Sequence, residues 1–368
     1  MRAYVEVDLS AIQANVQKFA ANQEVLAVVK ADAYGHGLVP VARAALAAGA
    51  TWLGVALLEE ALALREAGVK APIIAWLTPP GEDFEAALKS EIDLAVPSLE
   101  IFEEILAVGT SLGIKPRIHL EVDTGMHRGG VLGEWDALVS RMVDRKSEYH
   151  LVGFWTHFAR ADEPSERYTE QQLDTFDQKL ALARAAGLVP EIIHCANSAA
   201  ALNFPESHRS MIRLGIAMYG LSPDRQTMGT SSELDLVPAM SIRAKLHVVK
   251  AVKKGDAIGY GGAGVASEDT TIGVVVMGYS DGVPRTADSR AGVTHNGTRA
   301  PLIGRVSMDQ CVVDLGPHST ASAGEYVDLI SPTGYSADDW AVACGTINYE
   351  IVTRIAARVP RKYNNDYS

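Results

Sequence analysis

The sequence predicts an α/β fold: a (β/α)₈ TIM barrel followed by a mostly β C-terminal domain. Three observations predict it. From about residue 25 to 220 short apolar, β-branched runs alternate with helical patterns, which argues for a parallel sheet. Eight such units fit in about 200 residues, the count and length of a closed barrel. After about residue 234 the rhythm gives way to strand-like runs broken by Gly, Asp and Pro. An open doubly wound sheet would be the rival, but it carries a Gly-rich phosphate loop after its first strand, and no GxGxxG occurs there.

The opening AYVEVDL alternates like a strand, and residues 1–8 are expected to pack with the β domain. Ser10 and Gln13 read as a capping box for the next helix. The barrel is expected over 9–233. Its strand runs are AVVKA (27–31), WLGVA (52–56), PIIAW (72–76), DLAV (93–96), PRIHLEVD (116–123), LVGFWTHF (151–158), EIIHCANS (191–198) and MIRLGIAMYG (211–220). Helical patterns at 41–49, 56–68 and 168–187 close on Gly49, Gly68 and Gly187, as helix C-termini commonly do. The β domain, 234–368, shows strand-like runs in KLHVVKAVKKGDAIGYGG, TTIGVVVMGYSDG, APLIGRVSMDQCVVDLG and EYVDLIS. A single helix is expected there, in INYEIVTRIAARV (347–359).

The 368 residues suit two domains, and the net charge of 33 − 45 = −12 argues against binding nucleic acid or an anionic membrane through the overall field. Three cysteines (Cys195, Cys311, Cys344), an odd count without CxxC spacing, point to a reducing, cytoplasmic setting. The N-terminus has no apolar signal core, and no run of 18 apolar residues suggests a membrane span.

In such a barrel the chemistry sits at the C-terminal ends of the strands. Those ends carry Lys30 and Tyr34, then Arg128, His157, Asn197 and Ser198, and the stretch from Arg213 to Tyr219. The set lacks the His and carboxylate cluster of a metal site. Paired carboxylates for glycoside chemistry do not stand out either. A lysine at an apolar strand end is a candidate Schiff-base residue, because burial lowers its pKa and frees the amine. Taken singly, each residue has a plainer reading. Lys30 could snorkel, His157 could be structural, Ser198 could cap a helix and Arg213 could fill an ion pair. Their shared position on one face of one barrel favours chemistry.

AVVKADAYGHG (27–37) resembles the pyridoxal-phosphate lysine motif of the alanine racemase family. The likeness continues in the family's order through EVDTGMHRGG (121–130), WTHFARADE (155–163), CANSAAAL (195–202), IRLGIAMYGLSP (212–223), YGG (260–262), MGYSDGVPR (277–285), GRVSMDQ (304–310) and INYEI (347–351). The resemblance implies a barrel, a β domain and a homodimer with shared sites acting on alanine. It implies that Lys30 holds pyridoxal 5′-phosphate and serves as one base, with Tyr260 of the partner as the other. Tyr34, Ser198, Tyr349 and the backbone N–H groups of Gly215 and Ile216 would bind the phosphate, with Asn197 beside them. Arg213 would face the pyridine nitrogen, and His157, linked to it, would tune Tyr260. Arg128 would contact the phenolic oxygen and the substrate carboxylate. Met308 and Asp309, also from the partner, would line the carboxylate site. Tyr279, Arg285, Arg305 and Ile347 match entrance positions. Two departures stand out: the GGAGVASED tract after Tyr260, and Glu121, where the family often has a carbamylated lysine that props the arginine matching Arg128. Glu121 is therefore expected to pair with Arg128. A racemase acting on serine or another amino acid, a non-catalytic pyridoxal-phosphate barrel and a decarboxylase are the rivals. The β domain opposes the second rival and Arg213 the third.

Overall fold

The computed structural model describes residues 1–364. The last four residues of the expected β domain lie outside the described residues. The chain forms two compact units: Ile12–Ala33 with Leu38–Val237, and Met1–Ala11 with Tyr34–Gly37 and the chain from Pro238 onward. The division differs from a simple cut near 234, because Tyr34–Gly37 belongs with the second unit. There Gly35 lies so close to the helix at Asn348–Thr353 that a Cβ would stand 2.3 Å from the Val352 oxygen. Its own carbonyl accepts from Arg361 Nε at 3.1 Å.

β1 (Ala3–Asp8) belongs to the second unit. The first unit is the barrel. Its strands are β2 (Glu24–Val28), β3 (Trp52–Val55), β4 (Ile73–Ala75), β5 (Asp93–Val96), β6 (Arg117–Glu121), β7 (His150–Trp155), β8 (Ile192–His194) and β9 (Met211–Leu214). They form one parallel sheet in the order β8-β7-β6-β5-β4-β3-β2-β9. The ladder between β8 and β9 is missing, but Ser210 N donates to Ile193 O at 3.0 Å and Arg213 N to Ala196 O at 2.9 Å, so the ring nearly closes. The strands are short because turns cut them. The run at 211–220 leaves β9 at Gly215 and enters a 3₁₀ turn, Ile216–Tyr219, and the run at 191–198 ends in a helix that begins at Ser198. Phe84, Phe102, Phe154 and Phe176 are fully buried, each contributing about 1.5–3 kcal/mol by its removal from water. The helices ending at Ala47, Glu66 and Ala185 are followed by Gly49, Gly68 and Gly187, all at positive φ.

The second unit is mostly β. Its strands are β10 (Met240–Val252), β11 (Ala257–Ile258), β12 (Gly264–Val265), β13 (Thr270–Val275), β14 (Gly292–His295), β15 (Thr298–Pro301), β16 (Cys311–Asp314), β17 (Tyr326–Ile330) and β18 (Arg361–Asn364). The main sheet runs β15-β14-β17-β10-β1-β18, with β13 pairing both β10 and β16. β1 sits antiparallel to β10 and parallel to β18. In the same unit the fully buried Asp281 carboxylate takes Arg2 at 2.5 Å and Arg358 at 2.6 Å.

Two local expectations need correction. The first helix, Leu9–Ala20, is capped by Asp8, whose Oδ1 accepts from the N–H groups of Ser10 and Ala11. Ser10 lies inside the first turn, too late to cap it. Among the described residues from 234 onward there are two α-helices where one was expected, Ala337–Cys344 and Asn348–Thr353. The signal was present, since Ser336 and Asp339 form a capping box and Gly345 ends the helix in the left-handed region. Its mixed DDW opening hid the apolar period.

Candidate active site

At the C-terminal end of the barrel the structure gathers Lys30, Arg128, His157, Asn197, Ser198, Arg213, Gly215 and Ile216, each at or just beyond a strand end. Lys30 follows β2, and the chain then turns through four left-handed residues, Ala31 to Tyr34, with φ of 52–54°. Such backbone costs about 1–2 kcal/mol per residue for non-glycine side chains. Side-chain oxygens hold it in place. Glu60 Oε1 accepts from Ala31 N at 2.6 Å, and Asp32 Oδ1 from Leu38 N at 2.8 Å. The second Glu60 oxygen accepts from Ala56 and Leu57, so one carboxylate ties the lysine turn to the turn after β3. Glu60 was not among the expected site residues, because its partners lie on another barrel unit. The Lys30 amine stands 6.0 Å from the centre of the Trp76 ring. Burial, and then the Arg128 charge, lower its pKa, while Glu60 opposes them.

Arg213, on β9, is buried. Nη1 donates to His194 O at 2.9 Å and to His194 Nδ1 at 3.2 Å. Nη2 reaches Thr156 O at 2.8 Å, His157 Nδ1 at 3.1 Å and Cys195 O at 3.1 Å. Its guanidinium carbon lies 4.9 Å over the Trp155 ring, a cation–π contact. Nε makes no hydrogen bond among the described residues. Burial pushes the guanidinium pKa down to about 10, with the Cys195 and Glu121 interactions opposing, so the group is still charged near neutrality. His157 accepts at Nδ1, and burial with the Arg213, Arg128 and Lys30 charges holds it well below the usual imidazole range. It is therefore neutral, with its proton on Nε2.

Ser198 Oγ accepts from Gly215 N at 2.9 Å and from Ala217 N at 3.3 Å. Gly215 N–H is thus already engaged, whereas Ile216 N–H has no partner among the described residues. Asn197 Oδ1 caps the Ser198 helix at Ala200 N, 3.0 Å, which fixes that side chain and leaves its amide NH₂ for other contacts.

The expected pairing of Glu121 with Arg128 is not formed. The two make no ion pair or hydrogen bond, and Arg128 is exposed. The DTGM turn is the reason. Asp123 Oδ1 gathers the N–H groups of Gly125 and His127, and Val131 N returns to Glu121 O at 2.9 Å. That return lays Gly129 and Gly130 over the carboxylate, with Glu121 Oε1 3.0 Å from where a Gly129 Cβ would stand. Burial pushes the Glu121 pKa up to about 7, against the Arg213 and Arg128 charges, while Asp123 adds to the rise.

The remaining expected residues lie in the second unit. Tyr34 is buried, its ring centre 6.2 Å from that of Tyr349, and burial raises its phenol pKa. Tyr260 sits at the turn between β11 and β12 and is 71% exposed. Met308 and Ile347 are exposed, and Tyr279 is just exposed. Asp309 accepts from Arg358 at 2.6 Å and from Ser280 Oγ at 3.1 Å.

Comparisons with known proteins cover both units. The model of the alanine racemase N-terminal domain matches residues 7–223, and that of the C-terminal domain residues 239–363. The curated alanine racemase of Thermobifida fusca is 44% identical over 370 residues, 98% of each chain. That of Frankia casuarinae is 42% identical over 372 residues, 99% of this chain and 96% of its own. The crystal structure of alanine racemase from the D-cycloserine-producing Streptomyces lavendulae superposes with a TM-score of 0.96 at 43% identity, covering 99% of this chain and 97% of that one. Barrel, β domain and end-to-end matches together define a two-domain amino-acid isomerase. The chain belongs to the alanine racemase family.

Proposed function

We propose that the protein interconverts L- and D-alanine with pyridoxal 5′-phosphate as cofactor, in a bacterial cytoplasm where D-alanine supplies peptidoglycan. The observation that carries the reading is Lys30, an amine at the barrel mouth whose basicity is lowered by burial and by Arg128. The residues fit the cofactor. Arg213 has every terminal N–H engaged and Nε left over, a single fixed donor for a pyridine nitrogen. A guanidinium keeps its proton, so that nitrogen stays unprotonated. Ser198 and the Ile216 N–H suit a phosphate, with Gly215 positioned by Ser198. Tyr34, Tyr349 and Asn197 keep the neighbouring roles that the resemblance gives them. When bound, pyridoxal phosphate withdraws electrons from the substrate α-carbon.

The chain's own groups then move the proton. Lys30 Nζ takes it from, or returns it to, one face of the α-carbon. In a homodimer with shared sites the partner subunit's Tyr260 serves the other face. Arg128 receives the substrate carboxylate, with Met308 and Asp309 of the partner subunit at its edge. His157, neutral and hydrogen-bonded to Arg213, keeps excess positive charge away from the mouth. Incubating the purified protein with L-alanine should yield D-alanine without CO₂. Release of CO₂, or absence of D-alanine, would overturn the reading.

A further inference from the structure

Arg213 is the upper end of a longer buried chain. His194 Nε2 lies 3.0 Å from His119 Nδ1, and His119 Nε2 lies 3.2 Å from Asp93 Oδ2. Asp93 is closed from below by Arg117, whose Nε and Nη2 reach its two oxygens at 2.8 and 3.1 Å. Asp93, His119 and His194 are all buried. The line begins at the first residues of β5 and β6 and climbs through the barrel to the last residue of β8 and to β9.

The donor and acceptor roles follow from Arg213. A guanidinium only donates, so His194 Nδ1 accepts, and its proton is on Nε2. That N–H then donates to His119 Nδ1, which places the His119 proton on Nε2, aimed at Asp93. Both imidazoles are neutral, and all three bonds point the same way. Burial and the Arg213 and His119 neighbours also hold His194 well below the usual imidazole range.

Packing protects this line. The Trp155 ring stacks on His194 at 5.5 Å and 6°, and Trp52 meets His119 edge-on at 5.5 Å. Opposite His119 stands Gly153 of β7, where a Cβ would fall 1.9 Å from His119 Nδ1. A side chain there and the imidazole cannot coexist.

We propose that Asp93, His119 and His194 form a one-directional hydrogen-bond relay that positions the Arg213 guanidinium from within the barrel core. These are positioning residues: they act on the reaction only by fixing the Arg213 plane and presenting its Nε at the mouth. The relay itself stands on geometry. Its effect on turnover rests on the function proposed above.

Two readouts keep these apart. In protein labelled with ¹⁵N-histidine, two-bond ¹H–¹⁵N correlation should show His119 and His194 neutral, with protons on Nε2, in the purified wild type. A proton on Nδ1 of either ring, or an imidazolium, would overturn the relay. In Asp93→Asn one carbonyl oxygen must serve both His119 and Arg117, so the His119 pattern should change. Alanine turnover should fall about 10–100-fold in kcat, the scale of lost outer supports, with KM within about twofold. The visible absorbance of the bound cofactor should also shift. Gly153→Ala should reproduce these effects without changing a charge. Unchanged histidine signals and unchanged kcat in a folded Asp93→Asn or Gly153→Ala protein would sink the proposal. If these variants fail to fold, the wild-type spectrum still decides. A wild type with the stated tautomers but no alanine racemisation would overturn the proposed function and leave the relay standing.

Discussion

The site residues of the barrel and those of the β domain are organised in opposite ways. In the barrel, Arg213 is buried and holds five acceptors, Ser198 gathers two N–H groups and a carboxylate ties down the Lys30 turn. In the β domain, Tyr260, Met308 and Ile347 are 71%, 54% and 58% exposed, while Asp309 is held by Arg358 and Ser280 and Tyr34 is buried beside Tyr349. A preorganised half binds and orients, because its donors need no rearrangement at the moment of reaction. An exposed aromatic and apolar half suits a surface that a second chain covers. The proposed homodimer with shared sites is supported by this contrast.

The largest expected effect tests the barrel half. Lys30→Ala should lower racemisation by more than about 10⁴-fold, since in the proposed function one residue is both the cofactor anchor and a base. Borohydride reduction of the wild type should place the cofactor mass on the Lys30 peptide; label on another lysine would reject that role. Tyr260→Phe tests the other half. It should suppress α-hydrogen exchange of L-alanine in D₂O by about 10²–10⁴-fold while sparing D-alanine. Equal loss for both enantiomers would show that the halves do not serve separate faces. Mixing the Lys30→Ala and Tyr260→Phe chains sharpens the comparison further. Mixed dimers would hold one intact site and should recover a measurable part of the activity. No recovery, with mixed dimers shown to form, would put both bases in one chain.

The smallest effect concerns Glu121. Its folded pKa of about 7 lies above the ordinary 4.5, so the folded state binds the proton more tightly than the unfolded one. Stability from this group is complete below about pH 4.5 and is lost as pH rises through 7. The loss is up to roughly 3.5 kcal/mol, at about 1.4 kcal/mol per unit. Urea titrations at low and high pH should show Glu121→Gln losing less stability than wild type over that range. Parallel pH profiles would mean that Glu121 titrates normally.

Much of the fold was legible because periodicity and glycine stops are local signals. Eight apolar runs became eight strands, and Gly49, Gly68 and Gly187 follow helix ends. Strand lengths were less legible. The run at 211–220 looks continuous until Gly215 turns it, and nothing apolar marks the change. The lysine, the arginines and the serine of the barrel mouth could be found from strand ends and motif resemblance. Glu60 could not, since a glutamate on a helix looks solvated until Ala31 N–H is seen beside it. Arg128 shows the reverse failure. The family's propping lysine at this position suggested a pair with Glu121, but the Asp123 turn sends the two apart.

The sequence by itself determined the order of the barrel strands, the succession of a barrel and a mostly β region, and the residue types at the strand ends. These depend on side chains a few positions apart, through pleat, helical turn and cap. Only the tertiary structure decided which polar groups meet. Asp93 and His119 are 26 residues apart, and His119 and His194 are 75 apart. A polar residue inside an apolar strand announces only that it needs a partner. Which partner it finds depends on how the barrel closes, because that closure sets which strands face each other across its interior.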